Sequence, residues 1–210
     1  MAIVMSKHLR SIDSLVLRRI RKMKPGNLFT PRDFKTFGSR TAIASALSRY
    51  LKAGTLKQPA RGIYQVPATH QVLGELQPTP EQIAKTLAGK DNLKLQPSGA
   101  YAANLLGLSE QVPLRIIYLT DGTSRQVRFG TQHIVLRRTT PRNMATAGRV
   151  SGLVIQALRH IGQRHVDRSV IEKLRRRLGP KERAQLLKDV AFAPAWVGAF
   201  MREIAAGKEG

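Results

Sequence analysis

Between Ser39 and Gly54 the chain reads SRTAIASALSRYLKAG. Its apolar residues Ile43, Ala46, Leu47, Tyr50 and Leu51 recur at i, i+3, i+4, i+7 and i+8, the spacing of a helix with one buried stripe. Ser39 is a suitable N-cap, and Gly54 is a suitable stop. The opposite face then carries Thr41, Ser45, Ser48, Arg49 and Lys52, with Arg40 at the helix start. Short hydroxyls permit close approach to phosphates and base edges, arginine can grip guanine at two points, and a helix N-terminus offers free N–H groups to phosphate.

The flanking sequence limits what this helix can belong to. From Met5 to Lys22 the apolar residues Leu9, Ile12, Leu15, Val16 and Ile20 predict a first helix, which Pro25 and Gly26 end. In FTPRDFKTFG, Thr30 can cap, Pro31 suits the first helical position and Asp33 complements the N-terminal end of a short second helix. After Gly54, two strands are expected at roughly 55–58 and 62–66, joined by a turn of Pro59, Ala60, Arg61 and Gly62. Three short helices and a hairpin within about 65 residues is the plan of a winged helix-turn-helix, in which the third helix enters the major groove. Lys57 and Arg61 on the hairpin have the reach and charge for backbone phosphates.

Charge points the same way. Thirty-six Lys and Arg stand against 13 Asp and Glu, a net +23. Residues 1–66 hold 14 of the basic and only 2 of the acidic side chains, so the excess is densest at the N-terminal end. Such a field attracts polyanions, although solubility or ribosome association would also account for part of it. No apolar run is long enough to cross a membrane, and MAIVMSKHLR is too short for a secretory signal. Cysteine is absent, so neither a disulfide framework nor a thiolate metal site can form. A cytoplasmic protein is expected.

THQVLGELQPTP, with Pro78 and Pro80 and following Pro67, marks a boundary. It divides a DNA-binding domain at 1–75 from a second domain at 80–210. Thr79 and Gln82 form a capping-box pattern for a helix reaching about Ala88. SGAYAANLLGL reads as a compact apolar helix ending at Gly107. The segment 113–140 alternates strand-like runs with turns at Asp121-Gly122 and Gly130, predicting a small antiparallel sheet. Beyond Met144 the pattern is helical, with a stripe at Val150, Leu153, Val154, Ala157, Leu158 and Ile161. The expected fold class is α+β.

FTPRDF and GSRTAIASALSRYLKAGTLKQPARGIYQVP together resemble the N-terminal domain of AbiEi-type antitoxins of bacterial type IV toxin–antitoxin systems. PSGAYAANLLGLSEQVPLRIIYLTDGTSRQVRFGTQHIVLRRTTPRN is similar to their second part. The resemblance covers most of 7–190. It implies a phage-defence protein whose first domain binds inverted repeats in its own promoter and represses the operon. It implies that the second domain counteracts a nucleotidyltransferase-like toxin, directly or without a stable complex. By position, Arg40, Thr41, Ser45, Ser48 and Arg49 take the recognition-helix role and Arg61 the wing role.

No catalytic set is assembled by the remaining residues. His160 and His165 are five apart and do not share a helical face, and no HExxH, GxSxG or GxxxxGK[ST] pattern occurs. The protein is therefore read as a non-enzyme without cofactor or metal. A second basic cluster, Lys173, Arg175, Arg176 and Arg177, is either a solvated helix face or a surface for a partner. Trp196 and Phe200, at i and i+4, are core residues or a partner surface. Two alternatives remain beside the antitoxin. One is a stand-alone winged-helix regulator whose second domain senses a ligand or oligomerises. The other is a basic RNA-binding protein, for which the 5% aromatic content gives few stacking platforms.

Overall fold

The computed structural model describes residues 11–89 and 93–206, so the part of the first predicted helix from Met5 to Arg10 lies outside the described residues. The chain is mixed α and β and divides into two compact units. One comprises Met1–Leu87 with Val127–Gly130, the other Ala88–Gln126 with Thr131–Gly210.

In the first unit, α1 (Ile12–Arg21) begins at Ser11, whose Oγ accepts the Ser14 N–H at 3.1 Å. Its Val16 and Ile20 are buried. Strand β1 (Leu28–Phe29) leads into a 3-10 turn, Pro31–Phe34. Thr30 opens that turn: its N–H and hydroxyl both donate to the Asp33 carboxylate, at 2.8 and 3.2 Å. Helix α2 (Arg40–Lys52) starts at Ser39, whose Oγ accepts from the Ala42 N–H, and it buries Ile43, Ala46, Leu47 and Tyr50. These pack with Val16, Ile20, Phe29, Phe34, Leu56 and Tyr64 into one core. Phe29 meets Phe34 edge-on and stacks on Tyr64, so even few aromatics supply specific packing.

The predicted hairpin is present but shifted. Strands β2 (Lys57–Ala60) and β3 (Ile63–Gln65) are joined by Arg61 and Gly62 alone, with Gly62 at φ 74°. Pro59 and Ala60, expected in the turn, belong to β2, and the register slips between Lys57 and Ala60 where Pro59 has no N–H to donate. Strand β1 pairs with the other edge of β3, and Ala60 also pairs with Phe129. The segment read as a boundary holds a further small hairpin, β4 (Thr69–His70) and β5 (Gly74–Glu75), tied back where Gln65 Nε2 donates to the Leu76 carbonyl at 3.3 Å. Helix α3 (Pro80–Ala88) follows its capping box: the Thr79 N–H donates to Gln82 Oε1 and the Gln82 N–H to Thr79 Oγ1.

The second unit is built on β6 (Leu95–Ser98), α4 (Ala100–Leu105), β7 (Arg115–Thr120) and, beyond β8 (Arg125–Phe129), whose residues from Val127 belong to the first unit, β9 (Gln132–Arg138). Strand β6 is antiparallel to β7, but β7 is parallel to β9, so the sheet is mixed rather than antiparallel. The reason lies at Asp121-Gly122, which the sequence suggested as a hairpin turn. Asp121 instead accepts the Lys94 N–H at 3.1 Å, and Gly122 lies so close to Leu93 that a Cβ there would come within 2.4 Å of its Cδ1. The chain therefore leaves β7 without folding back beside it. Helices α5 (Pro141–Met144), α6 (Val150–Ile161), α7 (Arg168–Arg177), α8 (Pro180–Asp189) and α9 (Ala195–Ala205) complete the unit. Val154, Leu158, Ile171, Leu174, Leu186, Val197 and Met201 form its core, with Trp196 and Phe200 half-buried against it. Among the described residues no helix is long and apolar enough to cross a membrane.

Candidate nucleic-acid interface

Helix α2 exposes Arg40, Thr41, Ser45, Ser48, Arg49 and Lys52. At 3.6 residues per turn, Thr41, Ser45, Ser48 and Lys52 lie along one line opposite the buried stripe, and they extend it over about 16 Å. Arg49 is displaced by about 70° round the helix. That displacement carries it towards α1, where its Nη2 donates to Asp13 Oδ1 at 2.5 Å. Tyr50, on the buried side, donates its hydroxyl to Asp13 Oδ2 at 2.8 Å. Asp13 thus divides its two oxygens between neighbouring residues of α2.

These contacts set the local ionisation. The hydrogen bond from Arg49, helped by that from Tyr50, holds the Asp13 carboxyl below its ordinary range against the opposing effect of burial. The same hydrogen bond raises Arg49. Burial first, and then the Asp13 carboxylate, pushes the Tyr50 hydroxyl up to about 12. Both acids of the first 66 residues are therefore engaged within the fold: Asp33 closes a 3-10 turn and Asp13 links α1 to α2.

On the hairpin, Arg61 sits exposed at the turn. Lys57 is shared with Glu75 of β5, Nζ to Oε2 at 3.3 Å, and both side chains are about half exposed. Arg40, Thr41, Ser45, Ser48, Lys52 and Arg61 thus face solvent from one unit, while Arg49 and Lys57 each have a carboxylate neighbour. Sequence reasoning missed both carboxylates, because each lies far from its partner along the chain and periodicity reports only near neighbours.

The basic cluster of α7 is divided by the fold. Arg175 donates through Nε and Nη2 to the Glu203 carbonyl, at 3.2 and 2.6 Å, closing the end of α9. Arg177 donates to the Leu105 carbonyl at 3.0 Å, at the end of α4. Lys173 and Arg176 are exposed. Near this helix Val166, Arg168, Ile171, Arg175, Phe200 and Glu203 line an open groove of about 550 Å³. Among the described residues no three His, Asp or Glu side chains gather where they could hold a metal ion.

The match to known families covers most of this architecture. Residues 15–186 match DUF6088, a family of unknown function, and the chain belongs to it. No curated protein matches the chain.

Proposed function

We propose that the chain is a DNA-binding transcriptional autorepressor and antitoxin. In this reading α1, the Pro31–Phe34 turn and α2 form a winged helix-turn-helix, with α2 as its recognition helix and β2–β3 as its wing. The observation that carries it is the line Thr41, Ser45, Ser48 and Lys52, small or cationic side chains directly opposite the buried stripe of Ile43, Ala46, Leu47 and Tyr50. It is flanked by Arg40 and followed by a hairpin bearing Arg61 at its tip. A line of hydroxyls lets a duplex approach closely, and the N-terminal excess of basic residues supplies the field that draws it in. RNA recognition is less well served, since helical RNA has a major groove that side chains cannot read and the exposed face of α2 carries no aromatic residue for stacking.

The test is binding of the full chain to the DNA preceding its own coding sequence, by fluorescence anisotropy at several salt concentrations. Affinity should fall steeply with salt. Ser45→Glu and Ser48→Glu, both at exposed helix positions, should reduce binding at least tenfold while leaving the melting temperature unchanged. Binding that ignores both changes would sink this reading.

The antitoxin half of the proposal rests on the resemblance to AbiEi-type proteins and belongs to the second unit, acting against a nucleotidyltransferase-like toxin. A second reading, a stand-alone regulator with a ligand-sensing or oligomerisation domain, is favoured by one observation. Two of the four cations on α7 that could form a partner surface are engaged with main-chain carbonyls of the same unit.

A further inference from the structure

We propose that Asp13 is an internal competitor for DNA phosphate: in the free protein its carboxylate occupies Arg49, and this restrains the affinity of the α1–α2 surface for any duplex. The inference rests on the DNA-binding reading above and adds to it a residue that opposes binding.

Arg49 lies about 70° off the line of Thr41, Ser45, Ser48 and Lys52. A residue on the flank of a groove-bound helix meets the sugar–phosphate wall rather than base edges, so the chemistry available to Arg49 is phosphate binding. A carboxylate already stands there. Asp13 is one of only two acids in residues 1–66, and the other, Asp33, is held by the Thr30 N–H and hydroxyl. The pair is open to solvent, with the Arg49 and Asp13 side chains 60% and 41% exposed, and exposed ion pairs are weak and readily exchanged.

Asp13 is also built to survive the loss of Arg49. Its second oxygen keeps the Tyr50 hydroxyl, whose one proton is shared between that oxygen at 2.8 Å and the Asp13 main-chain carbonyl at 3.0 Å, and it lies in the first turn of α1, where the helix dipole favours an anion. A phosphate can therefore draw Arg49 away without leaving the carboxylate unpartnered. The negative charge that remains stands beside the incoming backbone and opposes it.

Removing this carboxylate should strengthen DNA binding, the opposite of what a residue that aims Arg49 at DNA would do. The full chain is titrated against two duplexes, the DNA preceding its own coding sequence and a shuffled sequence of equal length. Asp13→Asn, and Asp13→Ser as a second variant, should bind both roughly two- to fivefold more tightly than the natural chain. Glu81→Gln, which removes the same charge from the Lys85 pair on α3, should change affinity distinctly less. Tyr50→Phe leaves the Arg49 pair in place and should not tighten binding. Melting curves confirm that each variant is folded. Weaker binding by the Asp13 variants, or a gain no larger than that of Glu81→Gln, overturns the proposal alone. A natural chain that binds neither duplex overturns it together with the DNA-binding reading.

Discussion

Arg175 closes the last turn of α9 by donating two hydrogen bonds to the carbonyl of Glu203. A helix end leaves its final carbonyls without intrahelical partners, and here an arginine from α7 fills one of them. The basic cluster on α7 is thus two pairs with different duties. Arg175→Glu and Arg177→Glu should each destabilise the second unit by about 0.5–1.5 kcal/mol, the scale of a lost hydrogen bond. Lys173→Glu and Arg176→Glu should leave the melting temperature unchanged. In a growth-rescue assay, with a nucleotidyltransferase-like toxin and the chain both expressed from foreign promoters, only the second pair reports on a partner surface. Loss of rescue by Lys173→Glu and Arg176→Glu at full stability would place that surface on α7. Retained rescue would remove it from there.

Tyr50 links acidity to folding. Its hydroxyl is pushed up to about 12 by burial and by Asp13, against an unfolded value near 10. A group whose folded value is raised gives its full stability below the unfolded value and loses it as pH rises through the folded one. Urea unfolding should therefore show the natural chain more stable than Tyr50→Phe at pH 9, with the difference shrinking as pH rises from 10 to about 12. A difference that stays constant across that range would contradict the burial of the Tyr50 hydroxyl beside Asp13.

Gly152 lets α6 lie close to its surroundings. A Cβ at this position would lie 2.3 Å from Gln96 Oε1 and 2.4 Å from the Thr146 carbonyl. The amide of Gln96 could turn, but the main-chain oxygen could move only with its loop. Gly152→Ala should therefore cost about 1–3 kcal/mol through overpacking, in spite of alanine's better helix propensity. Thermal unfolding measures it, and a neutral or stabilising result would mean that α6 sits farther from Thr146.

The extent of the first unit sets a further expectation. It joins Met1–Leu87 to Val127–Gly130 and contains its own core, from Val16 to Tyr64. A fragment of residues 1–87 should fold cooperatively, whereas 1–75 removes α3 with its fully buried Ile83 and Ala84. Circular dichroism melts of the two fragments distinguish them: equal stability would show that α3 contributes nothing to the first unit.

Local chemistry was legible from the residues alone. Ser39, Thr30 with Asp33, and Thr79 with Gln82 announced helix starts because a cap joins groups three residues apart. The stripe Ile43, Ala46, Leu47 and Tyr50 announced its buried face because helical periodicity depends only on near neighbours. The outward line of α2 followed directly from it. Tertiary structure decided what depends on distance along the chain: the parallel pairing of β7 with β9, the pairing of Ala60 with Phe129, and the meeting of Asp13 with Arg49 and Tyr50 across 36 and 37 residues. It also decided which arginines of one helix turn inward to carbonyls and which face water. A charge has the same sequence signature whether or not it has a partner. Only packing, which brings distant main-chain and side-chain groups within hydrogen-bonding range, determines which charges are left exposed for binding.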